Sequence, residues 1–330
     1  MKTKRLLCGK PITPVAMGCM NVFNVYGPSL PWDEAARVFE QALDLGYDHF
    51  DTARLYGAGR SEELIGERLS HRRGEFTLAS KMGIFAAEGR RWIDCRPETI
   101  RTECEISLRA LKTDHIDLYY MHRRDRSVPI EDSVGEMAEL VAEGKIGGIG
   151  LSEMSAETLR RAHATHPIAA MQTEYSPFSR NVEIALLEAT RELGVALVAF
   201  SPIGRGALGG ALRDPAGLPQ GDLRGTLPRF QGENWEHNLG LIETFVGLAA
   251  GAGVTPAQLA LGWVLARGDH VIALPGTRSL PHLAENIARA DWRPDPALVA
   301  RIDQLFAPGA VAGGRYTPAL QATIETEEFA

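Results

Sequence analysis

His49-Phe50-Asp51-Thr52-Ala53-Arg54-Leu55-Tyr56-Gly57 sets a carboxylate and a phenol five positions apart, just past an apolar stretch (43–50) that reads as helix end, turn and strand. The next strand-like run, Phe76-Thr77-Leu78-Ala79-Ser80-Lys81, ends in a lysine. The one after that, Ile116-Asp117-Leu118-Tyr119-Tyr120-Met121-His122, ends in a histidine. Outward from these, short apolar runs end near Gly18, Ser152, Gln172, Ser201 and Pro275, with amphipathic stretches between them. Residues 33–45 carry Ala36, Val38, Phe39, Ala42 and Leu43 at helical spacing and stop at Gly46. Residues 97–111 begin with proline, which suits a first helical turn. Residues 129–141, 155–164 and 182–193 repeat the pattern. Eight strands alternating with about eight helices predict an α/β fold, a parallel (β/α)8 TIM barrel forming one domain over residues 1–330. A doubly wound sheet is the competing arrangement, but it gathers its chemistry at one switch point. Here titratable residues end the second, third and fourth strands alike, as they do at the C-terminal mouth of a barrel.

The rest of the chain fits that reading. Its 330 residues suffice for one barrel with added loops. Apolar content of 45% and charged content of 23% are those of a globular protein. A net charge of −7 argues against nucleic acid as a partner. No run of 18 apolar residues is present, so no membrane span is expected. Four cysteines, at 8, 19, 95 and 104, show no metal or disulfide spacing and suit free thiols in the cytoplasm. Residues 6–12, with Gly9-Lys10 inside, predict a hairpin ahead of the first barrel strand. A long Gly-, Pro- and Arg-rich loop (204–233) follows the seventh strand, and an irregular tail (307–330) ends the chain. Both are expected to lie over the mouth. Sequence leaves the oligomeric state open.

Asp51, Tyr56, Lys81 and His122 have ordinary readings one at a time: a turn cap, a packed aromatic, a surface lysine and a structural histidine. Together on successive strand ends they make a proton-donating site. A free phenol, with a pKa of about 10, is a poor acid. A lysine ~4 Å away contributes about 4 kcal/mol at an effective dielectric of about 20. That is enough to lower the phenol by up to about three pH units. Asp51 would hold the lysine charged, and His122 would donate to the oxygen on which negative charge develops. If water reaches Lys81, Asp51→Asn should cost less than Lys81→Met.

At these residues the sequence resembles the aldo-keto reductases, over nearly its whole length. The resemblance lies in Phe50-Asp51-Thr52-Ala53 with Tyr56-Gly57, the run ending at Lys81, Asp117-Leu118-Tyr119-Tyr120-Met121-His122, and Gly144-Lys145-Ile146 leading to Gly150-Leu151-Ser152-Glu153. It implies that Asp51, Tyr56, Lys81 and His122 are the catalytic tetrad. It also implies reduction of a small-molecule aldehyde or ketone with NADPH, or NADH, bound without a Rossmann domain. By the same resemblance Gly18, Cys19, Met20 and Asp51 border the cofactor, Ser152 and Gln172 hold its carboxamide, and Phe200 stacks on its nicotinamide. The run Ser201-Pro202-Ile203-Gly204-Arg205-Gly206 would cover the pyrophosphate. Pro275, Gly276, Thr277, Arg278, His282, Glu285 and Asn286 would meet the adenosine. Glu153 stands where the family often has asparagine. Many members have lysine at Gly276 and arginine at His282, so Arg278 is expected to carry the 2′-phosphate contact.

Gly204-Arg205-Gly206-Ala207-Leu208-Gly209 also fits a G-x-G-x-x-G string, but Leu212-Arg213-Asp214-Pro215-Ala216-Gly217 supplies no following helix and strand. Two other functions remain open. A metal-dependent barrel hydrolase could use His49, Asp51 and His122 as ligands. An NADPH-binding sensor could turn over little. The expected site contains no metal. The substrate pocket is expected to be framed by Phe23, Val25, Tyr26, Phe85, Trp92, Arg123 and the tail. Arg90, Arg91, Arg124 and Arg126, with Arg123, read as a solvated rim.

Overall fold

The computed structural model describes residues 3–23, 25–87 and 89–329. β1 (Arg5–Leu7) and β2 (Lys10–Ile12) form the expected hairpin, turned by Cys8 and Gly9 at φ 48° and 72°. Leu7 and Ile12 are buried with the barrel's interior side chains, so the hairpin closes the end away from the chemistry.

The chain then enters the barrel through β3 (Met17–Gly18), α1 (Trp32–Asp44), β4 (His49–Asp51), α2 (Arg60–Arg68) and β5 (Thr77–Met82). α1 begins with Asp33 and Glu34, whose charges oppose the helix dipole, and buries Ala35, Ala36, Val38, Phe39, Ala42 and Leu43. A second hairpin, β6 (Ile84–Ala87) with β7 (Arg90–Ile93), stands outside the barrel sheet. The sequence reading did not anticipate it. Then come α3 (Pro97–Leu111), β8 (Leu118–Met121), α4 (Ile130–Ala142), β9 (Ile149–Ser152), α5 (Ala156–Thr165), β10 (Ile168–Glu174), α6 (Leu186–Glu192) and β11 (Ala196–Phe200). After the long loop follow α7 (Gly232–Gly251), α8 (Pro256–Leu265), β12 (Val271–Leu274), α9 (Leu280–Ala288) and α10 (Pro296–Leu305). The tail holds one further turn, α11 (Pro318–Gln321).

The eight barrel strands run parallel in the order β3, β4, β5, β8, β9, β10, β11, β12. Closure comes from Val15 against Ala273 and Gly18 against Gly276, with Gly18 N donating to Pro275 O at 3.1 Å. Strand ends fall within two residues of those expected. The stretch 182–193 is not one helix. A 3-10 turn at Asn181–Glu183 is separated from α6 by Ala185, whose φ of −151° breaks the helical path.

Tyr120 fills the barrel interior because residue 150 is glycine: a Cβ there would lie 2.2 Å from the ring. Among the described residues no single helix is long and apolar enough to cross a membrane.

Candidate active site

Parallel pairing brings Asp51, at the end of β4, beside β5, which carries Lys81 inward. Lys81 is fully buried, and its ammonium donates to Asp51, to Thr52 O at 2.8 Å and to Tyr56 Oη at 3.3 Å. An ammonium has three donors, so all are used and the nitrogen is fixed. Gln172 Nε2 donates to the other Asp51 oxygen at 2.8 Å. Tyr56 is brought over Lys81 by a 3-10 turn in which Gly57 and Ala58 both take positive φ, 61° and 56°. A Cβ on Gly57 would press on Phe23 at 3.0 Å, so the turn needs glycine there. His122 follows β8 and meets the Tyr56 ring edge-on, with centroids 6.0 Å apart.

Burial raises the Tyr56 phenol above its ordinary pKa, against the pull of Lys81. The sequence expectation of a lowered phenol is corrected accordingly: removing the phenolate from water outweighs one nearby cation. Burial disfavours the Lys81 charge, but Asp51 and Tyr56 overcome it and hold the ammonium above its usual pKa. His122 is pushed well below its usual range by burial, then by Arg123, Lys81 and Arg91, so it stays neutral at neutral pH.

These groups open into a cavity of about 1790 Å³, larger than the about 300–1,000 Å³ of a typical small-ligand pocket. Every expected cofactor residue except Gly204 lines it. Gly204, at φ 56°, faces Leu208 and Phe178 instead. Ser201 and Arg205 also adopt left-handed backbone, with φ 51° and 56°. The Arg205 side chain is committed to Glu174 at 2.7 Å and to the hydroxyls of Tyr316 and Tyr26, so the loop offers its backbone to the cavity rather than that charge. Ser152 Oγ accepts from Arg123 at 3.2 Å, which leaves its hydroxyl proton to donate. Gln172 must turn its amide nitrogen to the Asp51 carboxylate, which leaves its oxygen to accept. One donor and one acceptor are what a primary carboxamide requires. Arg278 and His282 are exposed, and Arg278 donates only to Pro28 O, at 2.9 Å, among the described residues.

Tyr26, Phe85 and Arg123 also line the cavity, but Trp92 does not. Trp92 pairs with Phe85 across the β6–β7 hairpin, stacked at 5.4 Å, and its neighbour Arg91 lines the cavity instead. The arginines do not form one solvated rim. Arg124 and Arg126 bind the tail through Glu325 and Ile324 O, while Arg123 is buried. His49, needed for a metal reading, has Nδ1 against Thr77 O at 3.2 Å and does not line the cavity.

The long loop and the tail both border the mouth, the tail through Tyr316, Leu320, Thr323 and Ile324. Glu153 anchors the tail. It is buried, holds φ 53°, pairs with Arg315 at 3.0 Å and accepts from Thr326 Oγ1 at 2.7 Å. Burial opposes its charge, yet Arg315 and then Arg123 hold the carboxyl down to about 2. The unusual glutamate was visible in sequence; Arg315, far along the chain, gave no local signal.

A family model for the aldo/keto reductase family matches residues 14–307. A probable aldo-keto reductase of Glycine max is 41% identical over 93% of this chain and 89% of its own length. An NADP(+) aldo-keto reductase of Schizosaccharomyces pombe is 39% identical over 93% of this chain and 92% of its own. Among solved structures, a glycerol dehydrogenase from Gluconobacter oxydans superposes with a TM-score of 0.84 at 30% identity, covering 96% of this chain and 98% of that one. An aldo-keto reductase from Klebsiella pneumoniae in complex with NADPH gives 0.72 at 25% identity, covering 96% and 99%.

Proposed function

The chain belongs to the aldo/keto reductase family, and we propose that it reduces an aldehyde or ketone to the alcohol, with NADPH as hydride source and Tyr56 as proton donor. The observation that carries this reading is the buried Lys81 ammonium shared among Asp51, Thr52 O and the Tyr56 hydroxyl on the cavity floor. Support for the cofactor comes from the NADP(+) relative and the NADPH-bound neighbour. The donor set also fits. Ser152 and Gln172 offer the complement of a carboxamide, and Phe200 an aromatic face. Arg278, His282, Glu285 and Asn286 would hold the adenosine end. Bound there, NADPH supplies a hydride to the carbonyl carbon.

The chain's own groups handle the oxygen. Neutral His122 donates one N–H to it and orients the carbonyl. Tyr56, still protonated, gives its proton to the forming alkoxide. Lys81 stabilises the resulting phenolate, and Asp51 holds the lysine charged and aimed. Tyr56→Phe should remove reduction while NADPH binding, read by fluorescence quenching, stays near wild type. Acid catalysis typically contributes ~10²–10⁴ in rate, so retention of more than roughly a tenth of turnover would overturn the assignment.

A further inference from the structure

Two guanidiniums line the cavity near the tetrad without an ion pair to any carboxylate among the described residues. Arg123, directly after His122, is only 9% exposed. Its Nη1 donates to His122 O at 2.6 Å and to Ser152 Oγ, while its Nε is buried without a partner. Arg91 lies at the cavity rim on β7, paired in register with Ala86, which also lines the cavity. Its side chain is exposed and makes no hydrogen bond or ion pair among the described residues. The two charges lie near each other and near the tetrad. Burial and then Arg123 lower Arg91, and both arginines help to hold His122 neutral.

The other arginines on this wall differ. Arg54 faces Glu103 at 3.5 Å, Arg205 faces Glu174 at 2.7 Å, Arg213 faces Glu243 at 3.0 Å and Arg224 faces Asp222 at 2.7 Å. Arg278 lacks a carboxylate too, but it belongs to the segment assigned to adenosine. Arg123 is largely out of water, and the nearest negative charge, Glu153, is already ion-paired to Arg315, while the exposed Arg91 has no carboxylate partner among the described residues, so an anionic ligand between the two would be stabilised. Arg123 also presents more donors than His122 O and Ser152 use.

We propose that the substrate carries an anionic group, a carboxylate or a phosphate, which binds between Arg91 and Arg123 while its carbonyl lies at Tyr56 and His122. This rests on the reductase reading above and names the substrate class for it. The forks of two arginines suit planar carboxylates and phosphates alike.

Matched aldehydes test it: succinic semialdehyde against butanal for a carboxylate, and glyceraldehyde phosphate against glyceraldehyde for a phosphate. In at least one pair the charged member should have a kcat/KM about tenfold or more above the neutral one, the low end for a charge-assisted hydrogen bond. The favoured pair identifies the anion. The advantage should shrink with added salt, collapse in Arg91→Met and return in part in Arg91→Lys. Ratios near one in both pairs, with all four aldehydes reduced, overturn the proposal and leave the reductase reading intact. So does a preference that survives Arg91→Met and Arg123→Met unchanged. If no aldehyde is reduced, the reductase reading fails, and the binding of succinate and of inorganic phosphate, followed by tryptophan fluorescence, decides the subsite alone. Affinity for either that drops about tenfold in Arg91→Met supports it, and affinities for both that stay at the wild-type values in that variant overturn it.

Discussion

Arg315→Met should destabilise this protein strongly at neutral pH and much less in acid. Glu153 is buried, and its charge is held by the Arg315 guanidinium, the Thr326 hydroxyl and Glu174 N. Its carboxyl sits at about 2 where a carboxyl of this kind ordinarily sits at 4.5. At about 1.36 kcal/mol per pH unit that difference is worth about 3 kcal/mol. The figure agrees with the about 3–5 kcal/mol typically lost when one partner of a buried ion pair is removed. Glu174 keeps Arg205 in the variant and Glu328 is exposed, so Glu153 is the buried carboxylate that loses its ion pair and keeps only the Arg123 charge nearby.

The sign follows from the protons. In wild type the folded carboxyl has the lower pKa, so the pair's contribution is fully present above the unfolded value. It is lost as pH falls from about 4.5 toward about 2. In Arg315→Met the buried carboxyl favours its neutral form. The penalty then stands at pH 7, where the unfolded chain is ionised, and fades once both states bind the proton. Urea unfolding of both proteins at about pH 7 and about pH 4 should show the gap narrowing by more than half. Glu153→Gln added to Arg315→Met should recover part of the loss at neutral pH, because no buried carboxylate then stands at position 153 without its ion-pair partner. A loss below about 1 kcal/mol at neutral pH, or an equal loss at both, would refute the reasoning. Either would mean that water reaches Glu153 once the tail loosens.

The tetrad and the cofactor end give two further predictions. Water does not reach Lys81, so the premise for ranking Asp51→Asn as the milder change is corrected: the substitution strands a buried ammonium. Asp51→Asn and Lys81→Met should therefore both lower single-turnover reduction by about a hundredfold or more, and a mild Asp51→Asn would show that the lysine keeps its charge without a counter-ion. Arg278→Ala should weaken NADPH about ten- to 150-fold in fluorescence titration and leave NADH nearly unchanged, and equal losses for both would show that Arg278 does not meet the 2′-phosphate.

The barrel was legible because its strands carry two local signals, an apolar run and a chemically distinctive last residue. Asp51, Lys81 and His122 marked three consecutive strand ends, and the structure joins those strands edge to edge. What escaped was set by distant contacts. Arg91 and Trp92 are adjacent in sequence, and only the folded β6–β7 hairpin shows that the arginine lines the cavity while the tryptophan, stacked on Phe85, does not. Arg205 belongs to the glycine-containing run expected to cover the pyrophosphate. Its real partner, Glu174, lies on another strand and nothing near Arg205 announces it. Lys81 was placed correctly, but its burial could not be read from its own run, since Tyr120 and Asp51, which enclose it, belong to neighbouring strands.

That burial changes how the acid must be understood. A lysine acting on a solvated phenol would lower its pKa and leave part of it ionised before substrate arrives. Here burial keeps the Tyr56 phenol raised, so the proton is in place through neutral and mildly alkaline pH. On the proposed mechanism the Lys81 charge has its effect later, as the proton leaves and phenolate character grows 3.3 Å from the ammonium. An interaction stronger in the transition state than in the resting site accelerates the chemical step. The neutral His122 follows the same logic, since a second full cation beside Lys81 would be expensive in this enclosure, whereas one polarised N–H aimed at the oxygen costs little before charge develops. Burial thus keeps the tyrosine protonated and the histidine neutral, whereas the lysine keeps its charge against that same burial because Asp51 and Tyr56 hold it.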